Sequence, residues 1–286
     1  HELCYVKRWL AEFFQALEAS RDWLETVTAS DYLDGHPPRG RVYLPTAAYT
    51  EMTEWALPTA TQQRFERLRQ AAERNQDEDQ LQFLRGGFWQ NFFAKYSEAN
   101  FLHKRMLYAS RYVRRAGRAA RAATYRQLLR GQCNDAYWHG IFGGLYAPHL
   151  RTAVYRSLLA AERGSMRGAR GQGLRWEKFD YDLDGSEELV GRQRAFVVWF
   201  DRNDGATLKE IDLLACELPL VNSLRRRREA YHEALRAAEQ AQESPPGEAV
   251  RTIHELVAVK EAGLAEALTY DHYDRHAFRL LVFSPE

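Results

Sequence analysis

Apolar positions follow a helical period in the middle of the chain and shorter, extended spacings on either side of it. From Val6 to Leu17, Trp9-Leu10, Phe13-Phe14 and Leu17 recur at three- and four-residue intervals, which predicts a helix with one apolar face. Trp23 to Val27 reads as a short strand, and Ala29 to Leu33 as a helical turn capped by Ser30. After the His36-Pro37-Pro38-Arg39-Gly40 loop, Val42 to Pro45 reads as a second short strand and Ala48 to Leu57 as a short helix. Strand and helix alternating in short units belong to an α/β architecture with parallel strands. About sixty residues cannot close such a sheet, so residues 1–58 are expected to be the tail end of a larger barrel or open sheet.

From Thr59 the helical period dominates. Phe65, Leu68 and Ala72 share a face, and a polar stretch follows from Arg74 to Gln80. Phe88, Phe92 and Tyr96, reinforced by Trp89 and Phe93, form one stripe, and Leu102, Met106, Ala109 and Val113 form another. Pro148 stands at a first helical position ahead of Leu150, Val154 and Leu158. Gly164 and the Gly168-to-Gly173 stretch read as helix end and linker. Residues 59–165 are therefore expected to form a helical bundle domain.

Beyond Gly173 the pattern becomes extended. Phe196 to Phe200 and Leu208 to Leu213 read as strands joined by the hairpin-type loop Asp201 to Gly205. Leu218 to Leu224, Ile253 to Val259 and Phe278 to Phe283 add further extended runs. A helix around Arg225 to Gln242 and a turn at Glu243 to Gly247 interrupt them. Residues 174–286 are expected to open a β-sandwich domain.

Composition narrows the function classes. The 286 residues suffice for two domains and part of a third, and 45% hydrophobic content supports packed cores. A net charge of +1 gives no field that would recruit nucleic acid or a membrane surface. The eight arginines from Arg105 to Arg130, like Arg225 to Arg228, are expected to be solvated faces. Three widely spaced cysteines, Cys4, Cys133 and Cys216, argue against a disulfide framework and point to the cytoplasm. There is no apolar run of about 18 residues. The chain opens on His1 directly in an amphipathic pattern, so an N-terminally truncated sequence is expected.

The chemistry concentrates in Gly131 to Gly144, which packs a carboxylate, three aromatics, a histidine and four glycines into fourteen residues. Glycines let backbone approach closely, while aromatic faces and carboxylates suit a hydroxyl-rich ligand. Asp135 and Trp138 are three apart, so a helical turn would put a hydrogen-bonding carboxylate beside an apolar ring, the pair that grips a sugar. A glycine-punctuated structural turn accounts for the composition about as well.

Other constellations are weaker. Asp180, Asp182, Asp184 and Gly185 match the first half of a calcium loop, but Gly191 stands where the closing acid belongs. The stretch is expected to be a polar strand entry. His272, Asp274 and His276, with Asp271 beside them, carry ligand-type side chains, and a polar strand edge is the favoured reading over zinc. No Gly-x-Ser-x-Gly elbow and no phosphate loop occurs. Neither a metal nor another cofactor is expected.

Taken together, Gly40 to Tyr49 with Glu54 to Leu57, Gly86 to Phe93 with His103 to Met106, Gly131 to Gly144 with Pro148-His149-Leu150, and Phe179 to Gly185 with Val221-Asn222 and Arg227 to His232 resemble glycoside hydrolase family 57. The similarity is to its α-amylase/4-α-glucanotransferase branch, and Asn134 to Gly140 is its most specific part. It implies a catalytic (β/α)7 barrel, a helical region and a β-sandwich. It also implies a retaining enzyme acting on starch, glycogen or maltooligosaccharides; a homodimer is one assembly left open. Asp135 and Trp138 match the family's substrate-binding Asp and Trp, and Tyr137 and His139 are carried with them as substrate-binding residues. The family's nucleophile Glu and acid/base Asp lie on barrel strands upstream of the region matching His1, so no catalytic residue is expected within this chain. Transfer of an α-1,4-glucan is the first reading. An α-amylase on the same scaffold and a non-catalytic glucan-binding piece are the alternatives.

Overall fold

The computed structural model describes residues 2–44, 48–140, 143–166, 173–233, 235 and 263–280. The chain divides into two units, His1–Thr46 and Ala47–Glu286. In the first, a π-helical turn Glu2–Val6 precedes helix α1 (Trp9–Ala19), followed by α2 (Ala29–Gly35). Trp9 and Phe13 stack at 5.4 Å on α1, as the four-residue spacing requires, and no residue of either helix is buried. The cap of α2 is Thr28, whose Oγ1 accepts from the Asp31 amide, and not Ser30. Neither Trp23–Val27 nor the described part of the Val42-to-Pro45 run is a strand. An extended run becomes a strand only when a ladder satisfies its backbone, and among the described residues none pairs with either.

In the second unit, α3 (Thr50–Trp55), α4 (Thr59–Asn75), α5 (Glu78–Phe83) and α6 (Trp89–Lys95) lead to α7 (Ser97–Arg115). The aromatic stripe predicted from Phe88 to Tyr96 is not one helix. Tyr96 is extended and separates α6 from α7 while its ring stays buried against Phe92, at 4.3 Å. Then come α8 (Arg118–Arg130), 3-10 turns at Asn134–Tyr137 and Gly144–Tyr146, and α9 (Pro148–Ser165) with proline at its start as expected. The predicted stripes of α7 and α9 meet: Leu102, Ala109 and Val113 pack with Val154, Leu158, Leu128 and Tyr137.

A five-stranded antiparallel meander follows, β1 (Arg175–Phe179), β2 (Glu188–Arg192), β3 (Phe196–Asp201), β4 (Thr207–Leu213) and β5 (Leu218–Pro219), in sequential order. The hairpin loop after Asp201 is confirmed, whereas only Leu218–Pro219 of the Leu218-to-Leu224 run pairs. The predicted Ile253-to-Val259 run and the Glu243-to-Gly247 turn lie outside the described residues. Of the helix expected around Arg225 to Gln242, residues 225–230 are not helical, 231–233 and 235 are, and the rest lies outside the described residues, as does the end of the Phe278-to-Phe283 run. The sheet is not separated from the helices. Val190, Val197, Trp199 and Leu214 share a core with Phe101 and Tyr108 of α7 and Leu159 of α9.

The inner face of β4 breaks the hydrophobic-inside rule. Glu210 and Asp212 point into the protein, and the half-buried Ile211 and Leu213 point out. Their partner is Arg105, which is fully buried. It does not belong to the solvated face that the arginine run suggested. Its Nη2 lies 2.5 Å from Glu162 Oε2 and its Nε 2.9 Å from Asp212 Oδ2, and its guanidinium sits 4.5 Å over the Trp199 ring. Arg192 binds the other oxygen of Glu162, and Tyr155 donates to Glu210 at 2.5 Å. Arg227 departs from expectation in the same way, being largely buried and paired to Glu98 at 2.6 Å.

Candidate functional site

The Gly131-to-Gly144 segment runs from the end of α8 into the start of α9. Its four predicted site residues separate into two kinds. Tyr137 is buried in the helical core and donates its hydroxyl to the Gly131 carbonyl. Burial raises its phenol well above the usual tyrosine range, so it stays protonated and closes the turn from inside. His139 is buried as well, 4.7 Å from Trp55 and 4.5 Å from Tyr146 in edge-to-face contacts. Burial lowers its imidazole to about 4, so the ring is neutral near pH 7. Its Nδ1 lies 3.2 Å from the Gly143 carbonyl, which assigns the proton to Nδ1. Neither ring offers a face to a ligand.

Asp135 and Trp138 are the outward pair. Asp135 sits in the 3-10 turn and is exposed, and Trp138 follows it in extended conformation, half-buried. The two are not on one α-helical face, since the 3-10 turn ends at Tyr137 and Trp138 is extended. The Trp138 carbonyl accepts from the Leu145 amide at 2.7 Å, which folds the segment back on itself. Gly144 makes that fold possible: its φ is +43°, and a Cβ there would lie 2.2 Å from the Trp138 carbonyl oxygen. Tyr49, just ahead of α3, meets the Trp138 ring edge-on at 5.7 Å.

Behind this turn lies Glu229, a buried carboxylate from the segment after the sheet. It accepts from the Tyr96 and Tyr146 hydroxyls at 2.7 and 2.8 Å, with Lys95 Nζ at 3.6 Å. Two phenols and an ammonium satisfy a charge that would otherwise be costly to bury. The node fixes the α6–α7 junction and the second 3-10 turn relative to each other. Sequence reasoning missed Glu229 because its partners are 83 to 133 residues away.

The candidate metal ligands do gather, yet each group holds a partner already. Asp180, Asp182 and Glu188 come together. Asp182 pairs with Lys209 at 2.7 Å, Asp180 accepts from the Asp184 and Gly185 amides, and Glu188 accepts from the Tyr181 amide. His276 gathers with Asp201 and Asp204 and not with His272 and Asp274, and Arg279 binds Asp204 there. Asp271 pairs with Arg226 and Arg275. Asp271 to His276 are not a strand edge as expected, since only the next residue, Ala277, makes an isolated antiparallel bridge, to Leu208. Among the described residues no helix is long and apolar enough to cross a membrane.

Two family models match the chain: the α-amylase/4-α-glucanotransferase middle domain over residues 87–164 and the C-terminal domain of the same family over residues 180–285. An α-amylase 1 of Dictyoglomus thermophilum is 36% identical over 99% of this chain and 40% of its own length. A 4-α-glucanotransferase of Thermococcus litoralis is 38% identical over 95% of this chain and 39% of its own. A crystal structure of 4-α-glucanotransferase from Thermococcus litoralis superposes with a TM-score of 0.67 at 35% identity, covering 94% of this chain and 38% of that one. The chain thus spans about two fifths of the length of these relatives.

Proposed function

The chain belongs to the α-amylase/4-α-glucanotransferase family of glycoside hydrolase family 57, and from that premise we propose that its Asp135–Trp138 turn is a substrate-binding element of an enzyme acting on α-1,4-glucans. The observation that carries this reading is the outward pair. Of the four predicted residues Asp135 is exposed and Trp138 half-buried, whereas Tyr137 and His139 are buried and closed to a ligand. An indole takes the CH face of a glucosyl ring and a carboxylate accepts from its hydroxyls.

The chemistry we assign to the whole enzyme is a retaining double displacement. One carboxylate forms a glycosyl-enzyme, and a second serves first as acid and then as base. We place both on barrel strands that are not part of this chain, and read residues 1–58 as the barrel's last units and 174–286 as the first strands of a β-sandwich. Transfer to a glucan 4-hydroxyl is the preferred outcome. Hydrolysis is the alternative, since the relatives carry both names, and product analysis on maltoheptaose separates the two. A cytoplasmic location fits the three free cysteines, and gel filtration tests the homodimer.

Calorimetric titration of the chain with maltoheptaose tests the site. Trp138→Ala and Asp135→Ala are each expected to weaken binding by about 1 kcal/mol or more. Affinity unchanged in both variants would refute the reading.

A further inference from the structure

We propose that Tyr49 and Glu51 complete the carbohydrate site, forming with Asp135 and Trp138 a clamp of two carboxylates and a phenol around one glucosyl ring. This rests on the glucan reading above and extends it to residues outside the Gly131-to-Gly144 segment.

The geometry converges on Gly140. A Cβ built there would lie 2.6 Å from Cη2 of Trp138 and 2.9 Å from Oε1 of Glu51. Any side chain at 140 would drive indole and carboxylate apart, so glycine is what lets the two share one spot. Tyr49 closes a further side with its ring edge against the indole. Its phenol is raised by burial and by the nearby carboxylates of Glu51 and Asp135, so it remains a donor. Four side chains from the start of α3 and from the 3-10 turn and the residue after it, more than eighty residues apart in sequence, therefore cluster around Tyr49 and Gly140.

What distinguishes this niche is unused hydrogen-bonding capacity. Among the described residues, Glu51, Asp135 and the Tyr49 hydroxyl have no hydrogen bond or ion pair. Neighbouring carboxylates are committed: Glu54 pairs with Arg69, Glu98 with Arg227, and Glu229 with two tyrosines and Lys95. Two carboxylates without a partner beside one phenol are acceptors left for a hydroxyl-rich ligand. A glucosyl ring supplies the missing partners. Adjacent hydroxyls donate to the two carboxylates, the Tyr49 hydroxyl donates to a ring or hydroxyl oxygen, and the CH face lies on the indole.

Maltoheptaose titration with four variants and a parallel thermal melt tests the clamp. Glu51→Gln is expected to weaken binding about tenfold, equivalent to ~1.4 kcal/mol, with an unchanged melting temperature because Glu51 has no partner to lose. Gly140→Ala is expected to weaken binding at least as much although Glu51 is intact. Glu54→Gln, on the same helix but outside the niche, should leave affinity as it is. Wild-type affinity in Glu51→Gln alongside weakened binding in Trp138→Ala would overturn this inference and leave the glucan site standing. Failure of Trp138→Ala to weaken binding would remove both. A loss in Glu51→Gln that tracks a lowered melting temperature would assign Glu51 a structural role and overturn the clamp.

Discussion

Replacing Glu210 by glutamine should be nearly free, whereas the same change at Glu162 should cost much of the stability of the fold. The buried network holds three carboxylates, Glu162, Glu210 and Asp212, against two guanidiniums, Arg105 and Arg192. With every group ionised it would bury a net negative charge, which the interior penalises heavily. Burial and the adjacent Asp212 push the Glu210 carboxyl well above its usual range, and burial raises Asp212 as well. Oε1 of Glu210 and Oδ1 of Asp212 are both buried without a hydrogen bond, although Arg105 Nε stands 3.3 Å from the former. One shared proton, resting on Glu210, satisfies both oxygens and makes the network neutral. Glutamine reproduces that state, since its amide donates to Asp212 and its oxygen accepts from Tyr155. The expected cost is within about 1 kcal/mol. Glu162→Gln instead takes a carboxylate from both arginines and leaves an uncompensated buried cation, at about 3–5 kcal/mol. Urea denaturation at pH 7, followed by circular dichroism, measures both.

The same proton gives the wild type a pH signature. The raised Glu210 carboxyl keeps a proton that the unfolded chain has lost, so stability falls as pH rises above the ordinary carboxylate range towards the raised value. Glu210→Gln should lack that slope. A cost for Glu210→Gln equal to that for Glu162→Gln, or an unaltered slope, would refute the protonated pair.

Three further outcomes are expected. Glu188 is raised to about 7 by burial and by Asp182 and Asp184, so its contribution is full below about pH 4.5 and lost as pH rises through about 7. Glu188→Gln should flatten the stability profile between those limits in denaturant titrations. Gly144→Ala forces a Cβ against the Trp138 carbonyl at φ +43° and should cost roughly 2–4 kcal/mol, with maltoheptaose affinity lowered in the material that remains folded. Thr28→Ala should cost α2 about 1 kcal/mol and speed hydrogen exchange at the Asp31 amide, while Ser30→Ala should do neither.

Local pattern carried a sequence reading far wherever the partner of an apolar stripe was another apolar stripe. The α7 and α9 faces, the Pro148 start and the β3–β4 hairpin follow from spacing and residue type alone. The reading failed where a short segment's structure depends on something distant. Trp23 to Val27 and Val42 to Leu44 have strand composition but no ladder among the described residues. The Phe88-to-Tyr96 stripe breaks because Tyr96 turns its hydroxyl to Glu229, 133 residues on. Arg105 reads as one more surface arginine until α9 and β4 deliver Glu162 and Asp212 to it.

The candidate site divides the same way. By itself, the sequence determined that Gly131 to Gly144 is a glycine-hinged turn rich in sugar-binding side chains, because those properties belong to residue types and their spacing. Only the tertiary structure decided which side chains face outward, since Tyr137 and His139 are drawn inward by the core and by Trp55 and Tyr146. It alone brought Tyr49 and Glu51 to Trp138 across Gly140. Side-chain chemistry is local and can be read one residue at a time. Which groups find partners and which are left free is a property of the packed chain.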